Sequence, residues 1–203
     1  ARFTRLAHLD RLQDVLAGLR AAARAGLDPI KVNTVLLRGI NDDEAVQLLR
    51  WAITKGYQLR FIEQMPLGPQ DSWNREDLVT AQEILDSLAP YFDLAPMHPY
   101  QRTAAPAETW LIRASLAEQA SGPGRDIASA RVGIVASVTR PFCEGCNRTR
   151  LTADGQIRTC LFALAEQDLR TPMRDGADDV ELAGIWYRAS REKQAGHSIA
   201  KDP

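Results

Sequence analysis

Apolar positions along the first hundred residues follow two periods in turn. Leu9, Leu12, Leu16, Leu19 and Ala23 recur at helical spacing, and Gly26 stands where a helix C-cap is expected. Ile30 to Leu37 (IKVNTVLL) is a short β-branched apolar run and predicts a buried strand. Asn41-x-x-Glu44 has the form of a capping box, opening a helix through Val46, Leu49 and Trp51 to about Lys55, with Gly56 beyond. Gln58 to Ile62 predicts the next strand, and Thr80-x-x-Glu83 opens another helix that ends near Pro90. Helix, strand, helix, strand with short connections predicts a parallel sheet with crossover helices. Two strands do not make a stable parallel sheet. Either later strands complete it, or the chain is the back half of a larger α/β domain, the reading preferred here.

From Pro90 to Gly124 the pattern loosens, with four further prolines. Thr109 to Ala114 reads as a strand. A domain boundary is expected near residues 95–105, dividing the chain into 1–100 and 101–203. Val132 to Val138 predicts a strand, and Asp179 to Gln194 an amphipathic helix bearing Val180, Leu182, Ala183 and Trp186, with Gly196 after it. No internal repeat or low-complexity tract occurs.

Composition excludes several classes. The 203 residues are 45% hydrophobic and 25% charged, as in folded domains. The formal net charge of -1 gives no global field favouring nucleic acid or anionic membrane. No apolar run approaches the ~20 residues of a bilayer span. The first residues, ARFTRLAHLD, contain no apolar signal core, and three cysteines cannot all pair. A reducing, cytoplasmic location is expected.

Those cysteines carry the chemistry. Cys143, Cys146 and Cys160 fall within 18 residues, with Arg148 and Arg150 just inside. Three thiolates can hold an iron–sulfur cluster with one iron left open, and two guanidiniums beside it suit an anionic ligand. Structural zinc wants four protein ligands, and the next histidine is His197, 37 residues beyond Cys160. Three unremarkable thiols are the remaining reading.

Between them, Arg148 to Thr152 and Gln156 to Cys160 flank Ala153-Asp154-Gly155, a hairpin signature. Side chains alternate along a strand, so the loop length decides which side chains share a face. A two-residue turn pairs Cys160 with Thr149, facing the wrong side. A three-residue loop with Gly155 left-handed pairs Cys160 with Arg148 and puts Cys146, Cys160, Arg148, Arg150 and Arg158 on one face. The three-residue loop is predicted.

The run Phe142-Cys-x-x-Cys146-Asn-Arg-x-Arg150-Leu-Thr, then Asp154-Gly155 and Cys160-Leu-Phe162, closely resembles the C-terminal cluster segment of the GTP 3',8-cyclase family. These are radical S-adenosylmethionine (SAM) enzymes also called molybdenum cofactor biosynthesis protein A. Lys31-Val-Asn-x-Val35, Gly39-Ile-Asn-Asp-Asp-Glu44 and Arg60-Phe-Ile-Glu-x-Met-Pro-x-Gly68 resemble that family's later barrel strands and loops. The resemblance runs from about residue 3 to 197. It implies an α/β fold: the C-terminal part of an incomplete (β/α)6 TIM-like barrel, followed by a cluster-binding domain with a β-hairpin and helices. It implies that Cys143, Cys146 and Cys160 hold a second, substrate-binding [4Fe–4S] cluster. It places Lys31, Arg148, Thr149 and Arg150 on GTP, and Met65 and Arg60 on SAM. No catalytic residue is assigned.

The implied activity is the conversion of GTP to (8S)-3',8-cyclo-7,8-dihydroguanosine 5'-triphosphate, the first step of molybdopterin synthesis. In that family a first [4Fe–4S] cluster cleaves SAM to a radical that takes hydrogen from ribose C3', and that carbon attacks C8 of guanine. The family allows a homodimer and passes its product to cyclic pyranopterin monophosphate synthase. Neither nucleic acid nor membrane is a partner.

The resemblance has gaps. No Cys-x3-Cys-x2-Cys occurs, a C-terminal Gly-Gly is replaced by Lys201-Asp-Pro203, and Ala105-Pro106-Ala107 stands for Gly-Pro-Ala. The sequence thus reads as truncated at both ends. This polypeptide alone is expected not to cleave SAM, and to expose apolar residues along an open barrel edge, with poor solubility. The rival readings are a zinc-stapled interaction module on the three cysteines, and a peptide-modifying radical-SAM enzyme with an auxiliary cluster. The arginines favour a phosphorylated small molecule over a peptide.

Overall fold

A computed structural model describes residues 2–67, 73–97, 106–113, 130–143, 146–163 and 165–193. Gly196, His197, the end of the helix expected at Gln194, and Ala105 lie outside the described residues. The chain divides into two compact units, Ala1–Arg140 and Pro141–Pro203.

The first unit is mixed α/β. In chain order it contains α1 (Arg2–Ala7), α2 (Leu12–Arg24), β1 (Lys31–Val35), α3 (Ala45–Lys55), β2 (Gln58–Ile62), α4 (Ala81–Leu88), β3 (Asp93–Pro96), β4 (Glu108–Arg113) and β5 (Arg131–Val135). One five-stranded sheet runs in the order β1-β2-β5-β4-β3. The pairs β1–β2 and β2–β5 are parallel, and β4 and β3 add antiparallel. So later strands of this chain join the sheet that β1 and β2 begin. They also move the division of the chain from near residue 100 to after Arg140, because β4 and β5 are hydrogen-bonded into the same sheet as β1 and β2.

One face of this sheet forms the core. Leu59 and Phe61 of β2, Val132 and Ile134 of β5 and Ile112 of β4 pack with Leu49 and Ala52 of α3 and with Ile84 and Leu88 of α4. Alternation then turns Lys31, Asn33, Arg60 and Gly133 to the opposite face, since Asn33, Arg60 and Gly133 are in register across three strands. The expected buried strand at 30–37 is an edge strand instead. Its burial alternates, and Val35 is 38% exposed, because among the described residues only β2 pairs with it.

Helix ends follow local rules in part. Thr80 and Glu83 form a full capping box on α4, as the sequence predicts. The Glu83 carboxyl is held down to about 2, first by the Thr80 backbone N–H, then by the Arg38 guanidinium and the Thr80 hydroxyl. Because the folded value lies below the ordinary 4.5, this contribution is complete above pH 4.5 and is lost as pH falls toward 2. Glu83→Gln is expected to flatten the acid limb of a pH–stability profile over that window, and Thr80→Ala to cost about 1 kcal/mol near neutrality. A Glu83→Gln profile matching the parent through that window excludes this linkage.

Asn41 does not cap α3. Residues Asp42–Glu44 form a 3₁₀ turn, and Glu44 precedes the helix without a side-chain cap. Asn41 is buried and grips the end of β1: its Nδ2 donates to Val35 O at 3.0 Å, and its Oδ1 accepts from Leu37 N at 2.7 Å.

The second unit contains β6 (Arg150–Leu151), β7 (Gln156–Arg158), β8 (Gln167–Asp168), α5 (Arg170–Arg174) and α6 (Asp179–Arg191). The strands form an antiparallel sheet in the order β6-β7-β8. The α6 helix begins on an Asp178–Glu181 capping box, but of its described residues only Ala189 is buried. Val180 is exposed, so the apolar stripe does not form a buried seam. No described helix is long and apolar enough to cross a membrane.

Candidate cluster and nucleotide site

The hairpin has the three-residue loop. Arg150 pairs with Arg158 and Leu151 with Ile157, which leaves Ala153, Asp154 and Gly155 between Thr152 and Gln156. Gly155 N donates to Thr152 O and Thr152 N to Gln156 O, and Gly155 takes φ +82°. This is a type I turn followed by a left-handed glycine. Gly155 also anchors α5, because its carbonyl accepts from Leu169 N at 3.0 Å and Arg170 N at 3.2 Å. The ladder stops at Arg150 and Arg158, so Arg148 and Cys160 lie just beyond its end.

The three cysteines on either side of the hairpin in sequence are all free and half-buried. Cys146 N donates to Cys143 O at 3.1 Å, closing a turn between the first two. Cys146 Sγ accepts from Arg148 Nη2 at 3.4 Å and from Lys193 Nζ at 3.3 Å. Burial raises the Cys146 thiol, but hydrogen bonds from the Arg148 backbone and guanidinium and from Lys193 outweigh it and bring it down to about 7. Phe162 N donates to Cys160 Sγ at 3.5 Å. N–H groups and cations aimed at sulfur stabilise thiolate, the ligating form. No group of three His, Cys, Asp or Glu among the described residues is gathered to hold a single metal ion.

Arg148 is fixed by more than the thiol. Its guanidinium lies 4.8 Å from the Phe142 ring centroid, and its carbonyl accepts from Lys193 Nζ at 3.0 Å. Thr149 is half-buried and Arg150 is exposed. Sequence reasoning missed Lys193. It lies 45 residues from Arg148, and no local pattern marks a lysine beyond a helix end as a thiol partner.

The other expected site residues lie in the first unit. Lys31 is exposed at the start of β1, and Arg60 is half-buried on β2. Both are on the sheet face away from the core. Arg60 has room because position 133 carries no side chain: a Cβ there would come 2.9 Å from Arg60 Cγ and 3.2 Å from Ala107 Cβ. Met65 is half-buried in the segment after β2.

Sequence reasoning also missed Glu63, which is buried at 1% exposure. Its Oε1 accepts from Ala81 N at 2.8 Å and Thr139 Oγ1 at 2.5 Å, and its Oε2 from Val138 N and Thr139 N, both at 2.8 Å. Ser137 Oγ donates to Glu63 O at 3.2 Å. Asn41, Glu63 and Ser137 are the buried polar side chains among the described residues, and they follow β1, β2 and β5 respectively. Each therefore ties down a loop at the C-terminal end of a parallel strand, the end where α/β folds place their sites.

A family model described as Molybdenum Cofactor Synthesis C matches residues 57–199. Over 97% of its length the chain is 53% identical to a protein of Streptomyces coelicolor named GTP 3',8-cyclase, covering 54% of that protein. It is 50% identical over its whole length to the protein of that name from Mycolicibacterium smegmatis, covering 53% of it. It is 48% identical over 98% of its length to that from Corynebacterium glutamicum strain R, covering 50%. The chain spans about half the length of the curated relatives it matches.

Proposed function

Because the chain belongs to the Molybdenum Cofactor Synthesis C family, we propose that it carries the nucleotide-binding part of a GTP 3',8-cyclase, acting in molybdenum cofactor biosynthesis. The observation that carries this reading is the cysteine–arginine constellation. Three free, half-buried cysteines fall within 18 residues on either side of a hairpin, and Arg148 touches both Cys146 and the Phe142 ring.

The donor set fits an iron–sulfur cluster. All three sulfurs are unpaired, and two already accept hydrogen bonds of the kind that tune cluster thiolates. In this reading Cys143, Cys146 and Cys160 hold a [4Fe–4S] cluster. When bound, it supplies one iron not ligated by protein, a Lewis-acid position for the guanine base. Arg148 and Arg150 neutralise the triphosphate, where planar guanidiniums match phosphate oxygens two at a time. Thr149 adds a hydroxyl between them. On the family resemblance, Lys31 is a further GTP contact, and Arg60 and Met65 are SAM contacts. Since the sequence holds no Cys-x3-Cys-x2-Cys, radical generation is assigned to no residue of this chain.

Two measurements test the reading. Anaerobic reconstitution with iron and sulfide is expected to load about four irons per chain with a broad visible absorption, and Cys146→Ser to lose most of both. GTP is expected to perturb that spectrum, with Arg148→Gln and Arg150→Gln each weakening GTP about 10- to 100-fold. Full iron loading in all three Cys→Ser variants, or GTP affinity indifferent to both arginines, overturns the proposal.

A further inference from the structure

The hairpin carries a third arginine that the reading above does not use. Arg158 lies directly opposite Arg150 in the β6–β7 ladder, two residues before Cys160. Directly opposed residues of an antiparallel pair project from the same face, with Cβ atoms about 5 Å apart. Like charges in that arrangement repel, and a hairpin keeps such a pair only where something offsets it. Here the offset is partial. Glu166 forms an ion pair with Arg158 through Nη2, and among the described residues Arg150 has no ion pair. Asp154, nearby on the loop, is engaged by the Thr152 hydroxyl at 2.5 Å.

The Arg158 guanidinium is also incompletely used. Its Nε is buried and makes no hydrogen bond, one of two such side-chain atoms among the described residues. Buried donors are normally paired, so an idle Nε–H beside an ion-paired Nη2 marks a fork only half engaged by its carboxylate. A phosphate group carries more charge and more acceptor oxygens than a carboxylate and can take both prongs.

From this we infer that Arg158 is a third phosphate-contacting residue of the nucleotide site, parked on Glu166 until a triphosphate draws it away. The assignment rests on the GTP reading and deepens it. Arg148, Arg150 and Arg158 then form a triad around one polyanion. Glu166 acts as a competitor for Arg158, keeping two opposed cations tolerable when no nucleotide is present.

The test compares GTP with guanosine, which has the base and ribose but no phosphate, binding to the full-length reconstituted enzyme under anaerobic conditions. Arg158→Gln is expected to weaken GTP about 10- to 100-fold and leave guanosine unchanged, with Arg158→Lys intermediate. Glu166→Gln, which leaves the hairpin strands intact, is expected to tighten GTP several-fold without touching guanosine. It decides the matter if Arg158→Gln does not fold. Equal GTP affinity in Arg158→Gln and the parent, or GTP unchanged or weakened in Glu166→Gln, overturns the inference while leaving the GTP reading intact. An unaltered enzyme that binds no GTP removes that reading and this inference with it. A parallel titration with inorganic tripolyphosphate on cluster-free protein is expected to rank the variants in the same order. That readout is independent of cluster chemistry.

Discussion

Glu63→Ala is expected to lower stability by about 3–5 kcal/mol, with a fall in melting temperature on the order of 10 °C. Few single changes in this chain remove so many partners. Three backbone N–H groups, of Ala81, Val138 and Thr139, lose their acceptor, as does the Thr139 hydroxyl. Each unpaired buried donor costs about 1–3 kcal/mol, partly recovered where water enters. Glu63→Gln is expected to cost less but remain severe, because its NH2 must face at least one of the donors. The effect should also be directional. Glu63 joins the segment after β2, which carries Met65, to the start of α4 and to the segment after β5, so hydrogen exchange is expected to rise first there. Thermal denaturation and exchange of Glu63→Ala check both points. A melting temperature within 2 °C of the parent is incompatible with the network described.

Gly155→Ala is expected to cost about 2–4 kcal/mol within the second unit and to impair cluster loading. Two penalties combine. The backbone there has φ +82°, where a Cβ costs about 1–2 kcal/mol. The added Cβ also meets Arg170 Cβ at 2.5 Å and Arg170 Cα at 3.4 Å. Neither is the free end of a flexible side chain, so α5 must retreat and strain the two hydrogen bonds its start makes to the Gly155 carbonyl. Gly176 provides the control. It has φ +93° with nothing within 4 Å of a built Cβ, so Gly176→Ala carries the backbone penalty alone. The difference between the two variants, read by chemical denaturation and by iron content after reconstitution, isolates the contact. Equal effects mean that Arg170 yields freely and the hairpin is not braced by α5.

The candidate site was legible in sequence to the extent that its geometry is local. The loop length in the hairpin follows from Asp154-Gly155 and the need to put Cys146 and Cys160 on one side, and the register confirms the three-residue loop. What the hairpin leans on was not legible. Lys193 reaches Cys146 from 47 residues away, and Glu166 engages Arg158 across a loop with no recognisable turn signal. Asn41 shows the opposite failure. Its spacing to Glu44 matches a capping box, yet its side chain is taken by Val35 and Leu37. A local motif gave way there to the need to pair buried backbone groups at a strand end.

The sequence by itself determined the features whose energy is settled within a few residues: the Thr80–Glu83 and Asp178–Glu181 caps, the left-handed glycine of the hairpin loop, and the clustering of three thiols with two arginines. Only the tertiary structure decided the position of each strand. Ile30 to Leu37 has the apolar density of a central strand, and among the described residues it pairs on one side alone, with β2, while β5, some seventy residues downstream of β2, takes the other side of β2 and brings β4 and β3 with it. That choice depends on pairings between distant segments, whose partners leave no mark on the local pattern of either one. The same distance separates Glu63 from Val138 and Thr139, so the carboxylate joining those two loops could be found only once β2 and β5 lay side by side.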